Sequence, residues 1–448
     1  MRTLERASSR VGLEPLAMQL LLTLSRRAGR LVTRQQAFDA CWGSAAVGDD
    51  SLNRAVAVLR KALRKISADG IRIETIPASG YVLRLTAEKP SPELTPDAED
   101  AIRAGYDSWR LGLPEPDHLR LEMLRKVTAG HPDCERAWGM LALLCRQAAE
   151  YADPVDVAAF VSECESAARR ALVLDDNQGE ALAALTSVAP LYGRWRAARA
   201  ALTGILGRIP DHMIVMHDLA ILEMATGRVR AAKAMMDALR VRDPLAACLC
   251  YKSIYQHWSV NDLAGLDDVG DRAIQLWPNH PAVWMARFWT YAHTGRGPAA
   301  LAMLDDAAAQ PNLLEATVRL LRAIVGASLE GKASRTEQAA DACRAAAAHG
   351  PAQAILALQG LGLLGRVDDL FDVANAYYLR LGSDPVPLRR TSGEPSVNDQ
   401  HRRVTQMLFT PALTDMRADP RFMPMCARMG LAAYWEAEGV SPDFLQAA

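Results

Sequence analysis

The chain has no run that stays apolar for the roughly 18–20 residues a membrane-spanning helix needs, and its start lacks the apolar segment of a secretory signal. A soluble, cytoplasmic protein with no membrane partner is expected. The eight cysteines, at 41, 134, 145, 164, 248, 250, 343 and 426, show no disulfide-framework spacing. Cys248 and Cys250 lack the two-residue gap of a zinc knuckle and have no matching second pair. They read as small core residues of a reduced protein. Phosphate-cradling glycine motifs, nucleophile elbows and metal-binding helix motifs are also missing. Nothing supports an enzyme, and no cofactor or metal is expected.

Net charge is nearly absent too, at −1, but it is unevenly divided. Residues 1–89 hold 15 Lys/Arg against 8 Asp/Glu, a net of +7, while the remainder holds 36 against 44, a net of −8. A basic nucleic-acid module joined to an acidic body fits that split. Asp49 to Ile66 concentrates the basic part. At helical spacing, Leu52, Val56, Leu59, Leu63 and Ile66 form an apolar stripe. Asn53, Arg54, Lys61, Arg64 and Lys65 lie opposite, with Arg60 on the flank and Asp49, Asp50 and Ser51 as N-cap candidates. Such a helix suits a DNA major groove. The alternative is a surface helix with a solvated basic face, and the helix alone does not separate the two.

Around it, Arg2–Arg6 and Arg10–Leu13 fit one or two strands, and Pro15 opens a helix with Leu16, Leu20, Leu21 and Leu24 on its inner stripe. Thr33-Arg34-Gln35-Gln36 has capping-box form and starts a short helix carrying Phe38 and Trp42. A small-residue loop from Gly43 to Gly48 follows. Ile71–Ile76 and Tyr81–Leu85 alternate about the turn Pro77-Ala78-Ser79-Gly80, the pattern of a hairpin.

Three helices, the last basic, followed by a hairpin make a winged helix-turn-helix. Leu31-Val32-Thr33-Arg34, Trp42-Gly43, Val58-Leu59-Arg60-Lys61-Ala62-Leu63 and Thr75-Ile76-Pro77-x-x-Gly80-Tyr81 occur in the order and spacing of a known family. The segment resembles the OmpR/PhoB-type DNA-binding domain of response regulators and ToxR/CadC-like regulators, over residues 1–86. The resemblance implies a third helix in the major groove, a wing near the minor groove, Arg60 on a phosphate, and base contacts from the Arg54–Val58 stretch. It departs from the family in two places. Only one or two strands fit ahead of Pro15 where relatives have a four-stranded sheet, so the sheet is abbreviated or the sequence starts late. The wing tip is Ala78-Ser79 where relatives often place arginine. Ala57 and Val58 offer no hydrogen bonds, so base reading falls chiefly to Asn53 and Arg54. Lys61, Arg64 and Lys65 would neutralise phosphates. Arg34, Ser51 and Ser79 complete the candidate DNA-binding set. Specificity would then need a homodimer, tandem sites or a partner.

Residues 87–97 form a proline-containing linker. Beyond it, turn residues recur at Gly193, Gly227, Asn261, Gly295, Gly331 and Gly365, spaced 34, 34, 34, 36 and 34. Loop markers Asp176, Pro210, Pro244, Pro278 and Pro311 are spaced 34, 34, 34 and 33. A 34-residue period of helix–turn–helix units resembles the tetratricopeptide family. Ala171-Leu172-x-Leu174-Asp175-Asp176-Asn177 matches its unit boundary, whereas Ser253 and Arg287 stand where a large aliphatic is usual. The fold class is mainly α: a winged helix with an abbreviated N-terminal sheet, joined to an α-solenoid of seven or eight units over residues 98–381. Residues 382–448 form a loop and a segment that caps the last unit.

First helices line the concave face of such arrays. Position matching places His217, Tyr251, Tyr255, Trp258, Met285, Trp289 and His293 there, either to hold a partner or as inter-repeat packing. His212 and His217 read as packing or groove residues rather than metal ligands, and Asp267-Asp268 and Asp305-Asp306 as solvated helix faces. The function implied is a bacterial transcriptional regulator, an activator that meets double-stranded DNA and RNA polymerase. With no receiver-like segment, it would answer to a protein, peptide or small-molecule effector. The competing reading is an interaction scaffold whose winged helix has lost sequence-specific binding.

Overall fold

A computed structural model describes residues 2–6, 9–28, 30–42, 49–65, 71–76, 79–85, 94–113, 115–152, 154–188, 191–382, 386, 390–391, 394–395 and 405–446. Ile66, the 43–48 loop, Pro77 and Ala78 of the wing tip, residues 87–93 of the linker, most of 383–404 and the Arg64 side chain lie outside the described set. The chain divides into two compact units, Met1–Glu93 and Leu94–Ala448.

The first unit begins with an antiparallel pair, β1 (Arg2–Arg6) and β2 (Ser9–Leu13). Helices α1 (Pro15–Ser25), α2 (Arg34–Trp42) and α3 (Asp49–Lys65) follow. On α1 Leu20 and Leu24 are buried as the stripe predicts and Leu21 is half-buried, while Leu16 is 40% exposed and Ala17 takes the inner place in the first turn. The capping box at the start of α2 closes reciprocally. Gln36 N donates to Thr33 Oγ1 and Thr33 N to Gln36 Oε1, each at 3.2 Å, which satisfies two otherwise orphaned donors. Strand β3 (Val32–Thr33), too short to show in the sequence pattern, joins β4 (Ile71–Ile76) and β5 (Gly80–Leu85) in the order β3-β5-β4. Gly80, at φ 154°, is required there: a Cβ would collide with the Val32 carbonyl. Leu52, Val56, Leu59 and Leu63 of α3 are buried against Leu20, Leu24, Ile73 and Leu83. Asp49 and Asp50 lie within the first turn of α3, where acidic side chains favour the helix dipole.

The second unit is an array of helix pairs. The first four are α4–α5 (Pro96–Leu111, His118–Gly130), α6–α7 (Glu135–Tyr151, Pro154–Leu174), α8–α9 (Gly179–Val188, Trp195–Arg208) and α10–α11 (Met213–Ala225, Val229–Arg242). The last four are α12–α13 (Ala247–Ser259, Leu263–Leu276), α14–α15 (Pro281–His293, Gly297–Asp305), α16–α17 (Glu315–Glu330, Ala333–Ala347) and α18–α19 (Pro351–Leu363, Val367–Ala374). All six turn residues of the 34-residue series take positive φ, from 58° at Asn261 to 81° at Gly227. The turn inside each of these pairs needs the left-handed conformation, which explains why only glycine and one asparagine occur there. Ala198, Ala232 and Ala300 are buried where paired helices approach closely.

Arg287 replaces a large aliphatic and is only 2% exposed. Its guanidinium bonds Asp267 at 2.7 Å, pairs with Asp271, and lies 4.1 Å over the Tyr291 ring. Gly270 gives it room, because a Cβ there would stand 3.0 Å from Arg287 Cδ. Asp267, still partly solvent-exposed, is therefore a paired charge: it also holds Arg296 at 2.7 Å and ties α13 to the next pair.

The tail does more than cap. After single turns at Thr405–Phe409 and Pro411–Leu413 come α20 (Thr414–Ala418), α21 (Phe422–Arg428) and α22 (Leu431–Glu438). Arg421 bonds Asp368 on α19 at 2.8 Å, as a cap should. The same tail reaches back to the third and fourth pairs. Trp195 Nε1 donates to Met429 O at 3.0 Å and Trp435 Nε1 to Thr226 O at 2.8 Å. Thr405 Oγ1 donates to Ala225 O at 2.7 Å.

Candidate functional site

On α3 the exposed face runs through Arg54, Ala57, Lys61 and Lys65, spaced three to four residues apart and opposite the buried stripe. Arg54 and Lys61 make no hydrogen bond or ion pair among the described residues, so both remain available to a ligand. Ser51 is half-buried at the start of the helix, and Ser79 is exposed beside the wing turn. Three other candidates are engaged inside the unit. Arg34 donates from Nη2 to Asn53 Oδ1 at 3.2 Å and from Nη1 to the Tyr81 hydroxyl at 3.2 Å, and pairs with Asp49 at 3.2 Å. Tyr81 OH donates to the same Asn53 Oδ1 at 2.7 Å. Asn53 therefore has its carbonyl doubly occupied, and bidentate reading of adenine, which needs that oxygen, requires the network to open. Arg60 lies on the wing, donating from Nε and Nη2 to Ile73 O at 3.1 and 2.7 Å and from Nη2 to Thr75 Oγ1 at 2.9 Å. It fixes α3 to β4, and only Nη1 is left for a phosphate.

These contacts escape sequence reading because a basic residue on a helix flank looks alike whether it faces DNA or its own wing. Tyr81, which the sequence offered as a strand and family-motif residue but not as a site residue, is the hub: 2% exposed, its hydroxyl joins α2, α3 and β5.

In the second unit the candidate groove residues fall into three places. His217 and Tyr251 line a lumen cavity of about 200 Å³, bordered also by Trp109, Arg146, Lys252 and, from the tail, Gln406. Tyr251 and Tyr255 face the tail turn at Gln406 and Met407. Met285 and Trp289 line an apolar recess of about 420 Å³ with Pro281, Ile355 and Leu356. The Trp258 and His293 rings meet tilted at 5.2 Å, and His293 meets Trp289 at 5.9 Å. His293 Nε2 donates to Gln359 O at 3.1 Å across the lumen. Trp258 and Trp289 are 3% and 0% exposed, which agrees with the inter-repeat packing alternative for both, though Trp289 still borders the recess. The reason is the tight winding: helices of non-adjacent pairs meet, and the tail enters between them. Burial pushes His217 and His293 down to about 4, so both imidazoles are neutral at physiological pH. His212 stands 3.6 Å from Glu180. Among the described residues no group of three potential metal ligands gathers.

A three-helix unit with a β-hairpin wing, a basic helix face and a separate 34-residue helical array define a winged helix-turn-helix domain followed by a tetratricopeptide α-solenoid. Residues 8–83 match the family described as transcriptional regulatory protein, C terminal, the OmpR/PhoB-type winged helix. None of the curated proteins matches this chain. Among solved structures, a tetratricopeptide repeat protein from Parabacteroides merdae is similar over 56% of this chain and 91% of its own, with 15% identity and a TM-score of 0.34. The tetratricopeptide assignment rests on the register and the eight helix pairs described above. Among the described residues no helix is long and apolar enough to cross a membrane.

Proposed function

We propose that the chain is a cytoplasmic transcriptional regulator, an activator that docks α3 in the DNA major groove and answers to an effector held by its solenoid. The supporting observation is the exposed cationic face Arg54–Lys61–Lys65 on a unit whose sequence matches a regulatory DNA-binding family. On this reading Lys61 and Lys65 supply salt-sensitive affinity, and Arg54, exposed on the same face, reads a base. A scaffold whose winged helix no longer selects sequence is the second reading. It is favoured by the inward engagement of Arg34, Asn53 and Arg60.

Mobility-shift titration across a salt series, with genomic fragments flanking the gene and random DNA, separates the two. Tighter binding to one fragment supports the regulator; equal binding to all leaves the scaffold. Arg54→Ala should erase about 1–3 kcal/mol of discrimination, while Lys61→Ala should weaken all DNA alike and reduce the salt slope by about 1.

A further inference from the structure

We propose that the lumen cavity is a binding site for a small organic carboxylate with an aromatic or compact apolar body. The cavity opens among the first helices of four pairs, and the tail closes it with Thr405 and Gln406. Its volume, about 200 Å³, is too small for a peptide helix. An apolar cavity of roughly 150 Å³ accepts benzene, so this one has room for a ring and a carboxylate. Trp109, Tyr192, Trp195 and Tyr251 supply aromatic walls.

Two cations face this space with incomplete partners. Lys252 Nζ donates to the Tyr251 hydroxyl at 2.8 Å and to Cys248 O at 3.3 Å. It pairs with no carboxylate at ion-pair distance among the described residues, although Asp218 and Glu150 also border the cavity. Arg146 reaches Asp218 only at 3.4 Å, and its Nε is buried without an acceptor. The Asp218 carboxylate is already taken up by Ser187 Oγ at 2.8 Å and His217 Nδ1 at 3.1 Å. His217 is neutral and adds no countercharge.

Lys252 is half-buried with no carboxylate at ion-pair distance among the described residues, only the longer-range fields of Glu150 and Asp218, and desolvation pulls it below the usual lysine range. An incoming carboxylate would pair with Lys252 directly and accept from Arg146 in the same step. A neutral ligand of the same shape would fill the space without repairing the charge. Discrimination between the two should therefore be large.

This inference deepens the effector reading above and rests on it only for the consequence on DNA. The full chain is titrated with benzoate, with benzamide as neutral isostere and with inorganic phosphate, by calorimetry and by tryptophan fluorescence, since Trp109 and Trp195 line the cavity. Saturable one-to-one benzoate binding is expected, with benzamide weaker by about tenfold or more. Lys252→Met should weaken benzoate by a similar factor with far-ultraviolet circular dichroism unchanged. Ala225→Leu, which narrows the cavity and keeps both cations, should also lose binding, and it decides the matter if Lys252→Met fails to fold. No saturation by benzoate, equal affinity for benzamide, tighter binding of phosphate, or full affinity in both variants would overturn the proposal. DNA affinity is measured separately, with and without benzoate. Failure of wild-type DNA selectivity removes the regulator reading and leaves the titration result standing.

Discussion

His217 shows how one buried side chain can set the pH limits of the second unit. It is 7% exposed, its Nδ1 lies against Asp218, and burial pulls its imidazole down to about 4 from the ordinary histidine value near 6.5. In the unfolded chain it protonates near 6.5, so between that value and 4 the unfolded state binds more protons and stability falls as pH falls. The contribution is complete above pH 6.5 and, at pH 5, is reduced by on the order of 2 kcal/mol. Urea unfolding of the second unit at pH 7 and pH 5 should show this loss, and His217→Gln should shrink the difference while leaving the part that His293 contributes. An unchanged slope in that variant would mean other groups carry it. Burial pushes His293 in the same direction.

At the scale of elements, two kinds of junction hold the folds together. The turn inside the fifth helix pair puts Asn261 at φ 58°, where a β-branched side chain is strained and glycine is not. Asn261→Val should cost about 1–2 kcal/mol and Asn261→Gly little or nothing, as read by thermal unfolding. In the first unit Arg60 joins α3 to β4 through three hydrogen bonds. Arg60→Met should destabilise that unit by about 1–3 kcal/mol while changing the salt slope of DNA binding less than Lys61→Ala does. A larger change in slope from Arg60→Met would restore the phosphate contact implied by family resemblance.

At the scale of the second unit as a whole, the tail converts an open array into a closed one. Leu408, Leu413, Phe422 and Leu431 are fully buried, and the segment bonds to helices of the third, fourth and eighth pairs. Terminal repeats generally need a covering element, but here the cover also bridges repeats distant in sequence. Deleting residues 405–448 should therefore lower the melting temperature of the whole unit and open it to protease, not merely fray its last pair. A truncated chain that melts like the full one would show that the bridging contacts add nothing.

The sequence determined the periodic features by itself. The 34-residue register located the left-handed turn inside each of six helix pairs, and Thr33 and Gln36 announced their capping box, because local backbone geometry selects particular residue types at fixed offsets. It also placed four leucine and valine positions of α3 in the core, since amphipathic spacing requires no knowledge of what covers them. Only the tertiary structure decided which polar side chains face inward. Arg34, Asn53 and Arg60 share the composition of a DNA-reading surface, yet their partners lie 13 to 47 residues away along the chain. Trp258 and Trp289 occupy groove positions by register, yet the winding of the solenoid and the return of the tail bury them. Those outcomes depend on long-range closure, which no local pattern encodes.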